Sequence, residues 1–172
     1  GHQSHGFLTY LDGKFHVHRS LDLVPKIKTS AIQEWFGRLP GNIGIGNVRY
    51  TTSGKCDEKS LVKGTQPVTA SKNGLKLAVS FNGNIVNTFQ LKREILRRFP
   101  RFSYECDANL VCHKLLIEYL KNQDIASAAK ACMKEIDGAF SVSAITQDGD
   151  FFAFKDPHGI RPLCAGHSQD NS

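Results

Sequence analysis

Four short segments of this 172-residue chain hold the residue types best suited to chemistry. They are Gly46-Asn47-Val48-Arg49-Tyr50-Thr51-Thr52-Ser53-Gly54, Ser80-Phe81-Asn82-Gly83-Asn84-Ile85-Val86-Asn87, Glu105-Cys106-Asp107-Ala108, and Asp156-Pro157-His158-Gly159-Ile160-Arg161-Pro162-Leu163. Each falls at the end of a predicted strand or the start of a predicted helix. Together they offer an arginine, an amide beside a glycine, and a carboxylate at a helix start. An α-amino acid that carries a side-chain amide would need all three. Its carboxylate suits a planar guanidinium, its ammonium suits a carboxylate, and the oxyanion formed by attack on the amide suits fixed N–H donors. Arg49, Asp107, and Asn82 with Gly83 can fill those roles in that order. Taken singly, each has a bland reading: Asn-Gly makes turns, Asp caps helices, and a lone arginine sits in water.

The elements that must position these residues follow from patterning. Two alternating runs around Asp12-Gly13 predict a hairpin over residues 6–19. Ser30 can cap a helix over Ser30 to Leu39, with Ile32, Trp35, Phe36 and Leu39 as its apolar stripe before Pro40. Asn42 to Tyr50 reads as a strand, and Thr51 to Thr65 as an exposed polar loop. Asn73-Gly74 turns the chain into a strand from Leu75 to Phe81, which Asn82-Gly83-Asn84 is expected to end. Three amphipathic helices should start at Asn87 (with Gln90 completing a capping box), Asp107 and Asp124. Strands over Ala139 to Thr146 and Phe151 to Lys155 close the pattern. Strands, then helices, then strands, with short hairpins at both ends, predict an α+β fold of antiparallel sheets layered with helices. The domain is expected over residues 1–166, with residues 167–172 a polar, frayed tail.

Composition bounds the function. Hydrophobic residues make up 40% of the chain, enough for one core, and no apolar run approaches the ~18 residues of a membrane span. The expectation is a soluble cytoplasmic protein without membrane contact. Five cysteines (Cys56, Cys106, Cys112, Cys132 and Cys164) show neither a CxxC pair nor metal-ligand spacing. His16 and His18 would share one strand face, which leaves a surface metal site open but without a nearby carboxylate to complete it. The net charge of +6 concentrates in residues 91–101. That stretch reads either as a nucleic-acid patch or as the solvated face of a helix whose apolar stripe is Leu91, Ile95, Leu96 and Phe99. The helical reading is preferred, and no nucleic acid is expected as a partner.

The wording of the four segments, in order, resembles the class II glutamine amidotransferases (Ntn hydrolases), in the amidophosphoribosyltransferase branch. Gly1-His2-Gln3-Ser4-His5-Gly6-Phe7 is similar to the arginine-glycine segment before that family's second strand. The resemblance covers nearly the whole chain and implies a four-layer αββα sandwich, incomplete at both ends. It implies that Arg49 holds the glutamine carboxylate and Asp107 its amino group, that Tyr50 and Thr51 also meet the substrate, and that Asn82 and Gly83 form the oxyanion hole. Arg49 to about Ser60 matches a glutamine loop that closes as a lid, and Asp156 to Pro162 is a structural turn. Asn47 departs from the family's usual histidine, and Cys106-Asp107-Ala108-Asn109 from its Ser-Asp-Thr-Glu.

The resemblance also implies a purine-biosynthetic activity: glutamine gives glutamate and ammonia, and the ammonia passes to phosphoribosyl pyrophosphate. The acceptor would bind a further domain that uses Mg2+; some family members carry an iron–sulfur cluster, and a homo-oligomer is expected. No cofactor is expected in these residues. The family's nucleophile is an amino-terminal cysteine whose own α-amino group is the base. Residue 1 here is glycine, so the expectation is a chain inactive by itself, cut from a longer enzyme. Cys56 and Cys106 lie nearest the inferred pocket but cannot repeat that chemistry. The competing expectation is a non-catalytic glutamine-binding or interaction module.

Overall fold

The computed structural model describes residues 4–22, 24, 27–49 and 64–168. The first strand, β1 (Ser4–Leu11), pairs with β2 (Lys14–Ser20) across a two-residue turn in which Asp12 and Gly13 both have positive φ, 48° and 75°. That conformation matches the twist of a hairpin, and Asp-Gly tolerates it. Helix α1 (Thr29–Arg38) then leads into β3 (Ile43–Arg49), which returns to the other edge of β1. The result is an antiparallel three-stranded sheet ordered β2-β1-β3.

A second antiparallel sheet, ordered β4-β5-β6-β7, contains β4 (Val68–Lys72), β5 (Leu75–Ile85), β6 (Gly138–Thr146) and β7 (Phe151–Lys155). Between β5 and β6 run α2 (Thr88–Arg98), α3 (Asp107–Asn122) and α4 (Ile125–Glu135). Period-two alternation sorts β5 into two faces. Leu77, Val79, Phe81 and Ile85 join the large core under the three helices, with Leu91, Ile95, Leu115, Leu116 and Cys132. Ala78 turns the other way and packs between the sheets with Leu8, Ile45 and Ile145. Trp35 of α1 covers the far side of the first sheet, with ring centroids 5.6 Å from His5, 5.8 Å from Phe7 and 4.3 Å from His18. The layers are therefore α, β, β, α.

Lys114 is the largest fully buried side chain, and it joins the three helices. Its Nζ donates to Glu94 of α2 (2.7 Å), to Glu118 of α3 (2.8 Å) and to Glu135 of α4. Burial opposes the charge, but these carboxylates outweigh it and hold the ammonium above its ordinary pKa; Glu118 is lowered in return by Lys114 and Lys121.

Several local expectations are corrected. Strand β5 does not stop at Asn82: it runs through Asn82-Gly83-Asn84 to Ile85, because β6 continues the ladder with Asn82↔Ser141, Gly83↔Phe140 and Ile85↔Gly138. Strand β4 was not expected; its small residues gave weak alternation. Asn87 precedes α2 but does not cap it. Its amide instead donates to Glu135 O (2.9 Å) and accepts from Asp137 N (3.0 Å), tying α2 to the α4–β6 connection. Helix α1 starts at Thr29 behind Lys28, so Ser30 lies within the helix. Helix α3 begins at Asp107 with Cys106 as its cap, and Asn109 Oδ1 accepts from Cys106 N at 3.0 Å. Asp124 does cap α4, accepting from Ser127 N at 2.8 Å. On α2, Leu91 and Ile95 are buried but Leu96 is exposed, while Arg93, Arg97 and Arg98 lie on the solvated face.

Candidate functional site

The segment Phe81-Asn82-Gly83 is held where β4 has ended. Strand β4 accompanies β5 only as far as Val68↔Val79. At Phe81 two side chains take over the backbone groups: Gln66 Oε1 accepts from Phe81 N (2.6 Å, buried), and Asn47 Nδ2 donates to Phe81 O (3.3 Å). One residue earlier, Ser80 Oγ donates to Gly46 O at 2.9 Å. Strand β3 is thus bonded to β5 immediately before the candidate oxyanion residues. Gln66 can lie there because Gly6 has no side chain; a Cβ at Gly6 would stand 2.1 Å from Gln66 O. Arg19 Nε adds a bond to Pro67 O at 3.0 Å.

Alternation sets the rest. Ser80 faces β3, so Asn82 and Asn84 share that face, and both are exposed. Gly83 faces the helices, where a Cβ would come 2.3 Å from Ala139 O and 2.7 Å from Phe140 Cα. Close backbone approach requires glycine at this position. On β3, Ile45, Asn47 and Arg49 share the face turned to the second sheet, which aims Arg49 at the same end of β5. Arg49 Nη1 is buried and has no hydrogen-bond partner among the described residues. A guanidinium nitrogen in that condition is costly unless an acceptor arrives.

Asp107 approaches from the helical layer. As the first residue of α3 it meets the end of β5: Oδ2 accepts from Ile85 N (3.0 Å) and Oδ1 from the Tyr104 hydroxyl (2.7 Å). The Arg49 charge acts on both Tyr104 and Cys106, the residues flanking Asp107 in space. Burial pushes the Cys106 thiol up, and the backbone N–H groups of Asn109 and Ala108, with Arg49 after them, offset this only in part. A thiol so raised is a poor thiolate source at neutral pH. Arg49, Asn82, Gly83 and Asp107 therefore gather around one end of β5. Tyr50, Thr51, Cys56 and the proposed lid lie outside the described residues. Gln66 and Tyr104 carried no sequence signal beyond themselves; an aromatic three residues before a helix-start carboxylate is the only hint Tyr104 offered.

The other candidates have separate roles. Asp156 is buried and closes a turn, accepting from Phe140 N (3.0 Å) and His158 N (2.9 Å). Burial alone would raise its pKa, but these and further backbone N–H groups lower it. Ser141 Oγ donates to the Arg161 and Pro162 carbonyls, both at 3.1 Å. His18 packs on Trp35 with its Nε2 buried. Among the described residues, the carboxylates of Glu94, Glu118 and Glu135 lie close enough together to share a metal ion. Lys114 Nζ already bonds all three, so this set does not fit a cation. No helix among the described residues is long and apolar enough to cross a membrane.

A sequence profile of the glutamine amidotransferase domain matches residues 56–172. The amidophosphoribosyltransferase of Methanocaldococcus jannaschii is 33% identical over 93% of this chain and 32% of that protein. The amidophosphoribosyltransferase of Mus musculus is 33% identical over 96% of this chain and 32% of its own length. Among solved structures, the glutamine phosphoribosylpyrophosphate amidotransferase of B. subtilis superposes with a TM-score of 0.78 at 25% identity, covering 99% of this chain and 34% of that one. A structure described as the allosteric regulatory enzyme of purine biosynthesis gives 0.76 at 26% identity, over 94% of this chain and 33% of that one. The layered antiparallel fold is the one these enzymes share. The chain spans about a third of the length of the relatives it matches.

Proposed function

This chain belongs to the glutamine amidotransferase domain family, and from that premise we propose that it is the glutamine-binding half of an amidophosphoribosyltransferase of purine biosynthesis. Arg49 takes the glutamine α-carboxylate through its guanidinium fork and Asp107 takes the α-ammonium. The side-chain amide then reaches Asn82 and Gly83, whose N–H groups stabilise the oxyanion formed when the amide carbon is attacked. Hydrolysis through a cysteinyl thioester yields glutamate and ammonia, and the ammonia is passed to phosphoribosyl pyrophosphate.

The nucleophile of that reaction is an amino-terminal cysteine whose own α-amino group serves as the base. Within the domain, Arg49 and Asp107 supply recognition, and Asn82 with Gly83 supplies oxyanion stabilisation. Phosphoribosyl pyrophosphate, its Mg2+ and the contacts of a homo-oligomer would be met by parts of an amidophosphoribosyltransferase outside the third that this chain matches.

The observation that carries the reading is the buried Nη1 of Arg49, without a hydrogen-bond partner among the described residues, on the strand face that looks at Asn82, with Asp107 at the same end of β5. Isothermal titration with L-glutamine tests it. Binding that is weakened about tenfold or more by either Arg49→Ala or Asp107→Asn supports the assignment. Heat of binding that is indifferent to both variants removes it. A non-catalytic binding module would give the same titration, and separates from the enzyme only when the domain is assayed behind a native amino-terminal cysteine.

A further inference from the structure

We infer that Tyr104 is the positioning residue of the α-ammonium subsite and sets the preference for an α-amino acid over an amide lacking the amino group. The inference rests on the glutamine reading above and adds a residue to it.

Among the described residues, the Asp107 side chain has two hydrogen-bond donors, one on each oxygen: Ile85 N on Oδ2 at 3.0 Å and the Tyr104 hydroxyl on Oδ1 at 2.7 Å. A carboxylate accepts at about four lone-pair sites, so two are spent on orientation and one on each oxygen remains, its direction set by the carboxylate plane. The backbone donor belongs to β5 and moves with the oxyanion segment, whereas the phenol comes from the connection between α2 and α3. Without the phenol, one bond and one torsion would set the carboxylate plane. With it, the plane is pinned at both oxygens, which is what a directional ammonium contact requires.

The phenol is itself held. Lys92 Nζ stands over its ring at 3.5 Å from the centroid, a cation–π contact that fixes the ring from the α2 side. Burial, then the bond to Asp107, pushes the phenol pKa up, so the hydroxyl remains a donor throughout the range in which the protein would work. Arg49, the group assigned to the ligand carboxylate, acts electrostatically on the same Tyr104 phenol that bonds Asp107, the group assigned to its ammonium. Its hydroxyl has no other bond among the described residues to explain its placement.

The test is a pair of titrations on the wild-type chain and on Tyr104→Phe, which keeps the ring and its contact with Lys92. The ligands are L-glutamine and 4-carbamoylbutanoate, the same molecule without its α-amino group. The expected result is a loss of about tenfold in affinity of Tyr104→Phe for L-glutamine with affinity for 4-carbamoylbutanoate unchanged, because only the former uses Asp107. An equal loss for both ligands, or no loss for either, overturns the inference while leaving the glutamine reading intact. A wild-type chain that binds neither ligand overturns the glutamine reading and this inference with it. Unchanged melting of Tyr104→Phe confirms that the comparison is between folded proteins.

Discussion

Replacing Lys114 with methionine probes the joint between the three helices. The ammonium is fully buried and touches three carboxylates, and their exposure decides how much is lost. Glu94 and Glu135 side chains are 33% and 48% exposed and can rehydrate; Glu118 is 5% exposed and cannot, but it keeps Lys121 at 2.7 Å. Breaking a buried pair by removing one partner costs about 3–5 kcal/mol, and the surviving Lys121 contact places this case at the low end, about 3 kcal/mol. For a chain of this size that is a fall of roughly 6–12 °C in Tm. Lys114→Met/Glu118→Leu, which removes the stranded charge as well, should return to within about 1 kcal/mol of wild type. The pH dependence has a definite sign. Lys114 is raised, so its contribution is complete below the ordinary lysine pKa of about 10.4 and is lost as pH rises through the folded value. Glu118 is lowered, so its contribution is complete above about 4.3 and is lost as pH falls through its folded value. The gap between wild type and Lys114→Met should therefore be flat from about pH 5 to 10 and narrow outside that range. Urea unfolding followed by circular dichroism measures it. A single variant losing less than about 1 kcal/mol, or a double variant worse than the single, would refute the reasoning.

Gly83→Ala should cost about 3 kcal/mol, because the atoms in the way are the Ala139 and Phe140 backbone, while Gly37→Ala, with open space around it on α1, should gain about 0.5–1 kcal/mol; thermal melts of the pair separate close approach from glycine entropy. Asp156→Asn should lower Tm at neutral pH. Since the folded pKa of Asp156 is depressed, the wild-type advantage should narrow as pH falls below the ordinary aspartate value of about 3.9; melts from pH 3 to 7 would show a constant gap if the turn did not depend on the ionised carboxylate. Arg49→Lys keeps the charge but loses the planar fork and should weaken L-glutamine binding about tenfold in calorimetry; equal affinity would mean that no bidentate contact is made.

The first hairpin was legible because Asp12-Gly13 falls between alternating runs; Asn73-Gly74 was legible as a turn but β4 before it was not, and all four residues take positive φ. Asn82-Gly83 carries the same dipeptide yet stays in a strand. Its glycine answers to the approach of Phe140, a partner 57 positions away that no local pattern reveals. Asn87 looked like a helix cap and was diverted by Glu135 and Asp137 for the same reason: tertiary donors and acceptors outbid the local one. Arg49, Asn82 and Asp107 could be singled out by residue type. What gathers them is the face alternation of β3 and β5 and the start of α3, which patterning predicted only in outline. Gln66 and Tyr104 act through single long-range or loop contacts and left no motif to read.

The central claim is that Arg49, Asp107 and the Asn82-Gly83 segment form one glutamine pocket. A crystal structure of this chain with L-glutamine tests it most directly. The account predicts the ligand carboxylate within about 3 Å of the Arg49 guanidinium, its ammonium on Asp107 Oδ1 or Oδ2, and its amide oxygen facing Asn82 and Gly83. Glutamine bound elsewhere, or bound there with Arg49 turned away from its carboxylate, would contradict it.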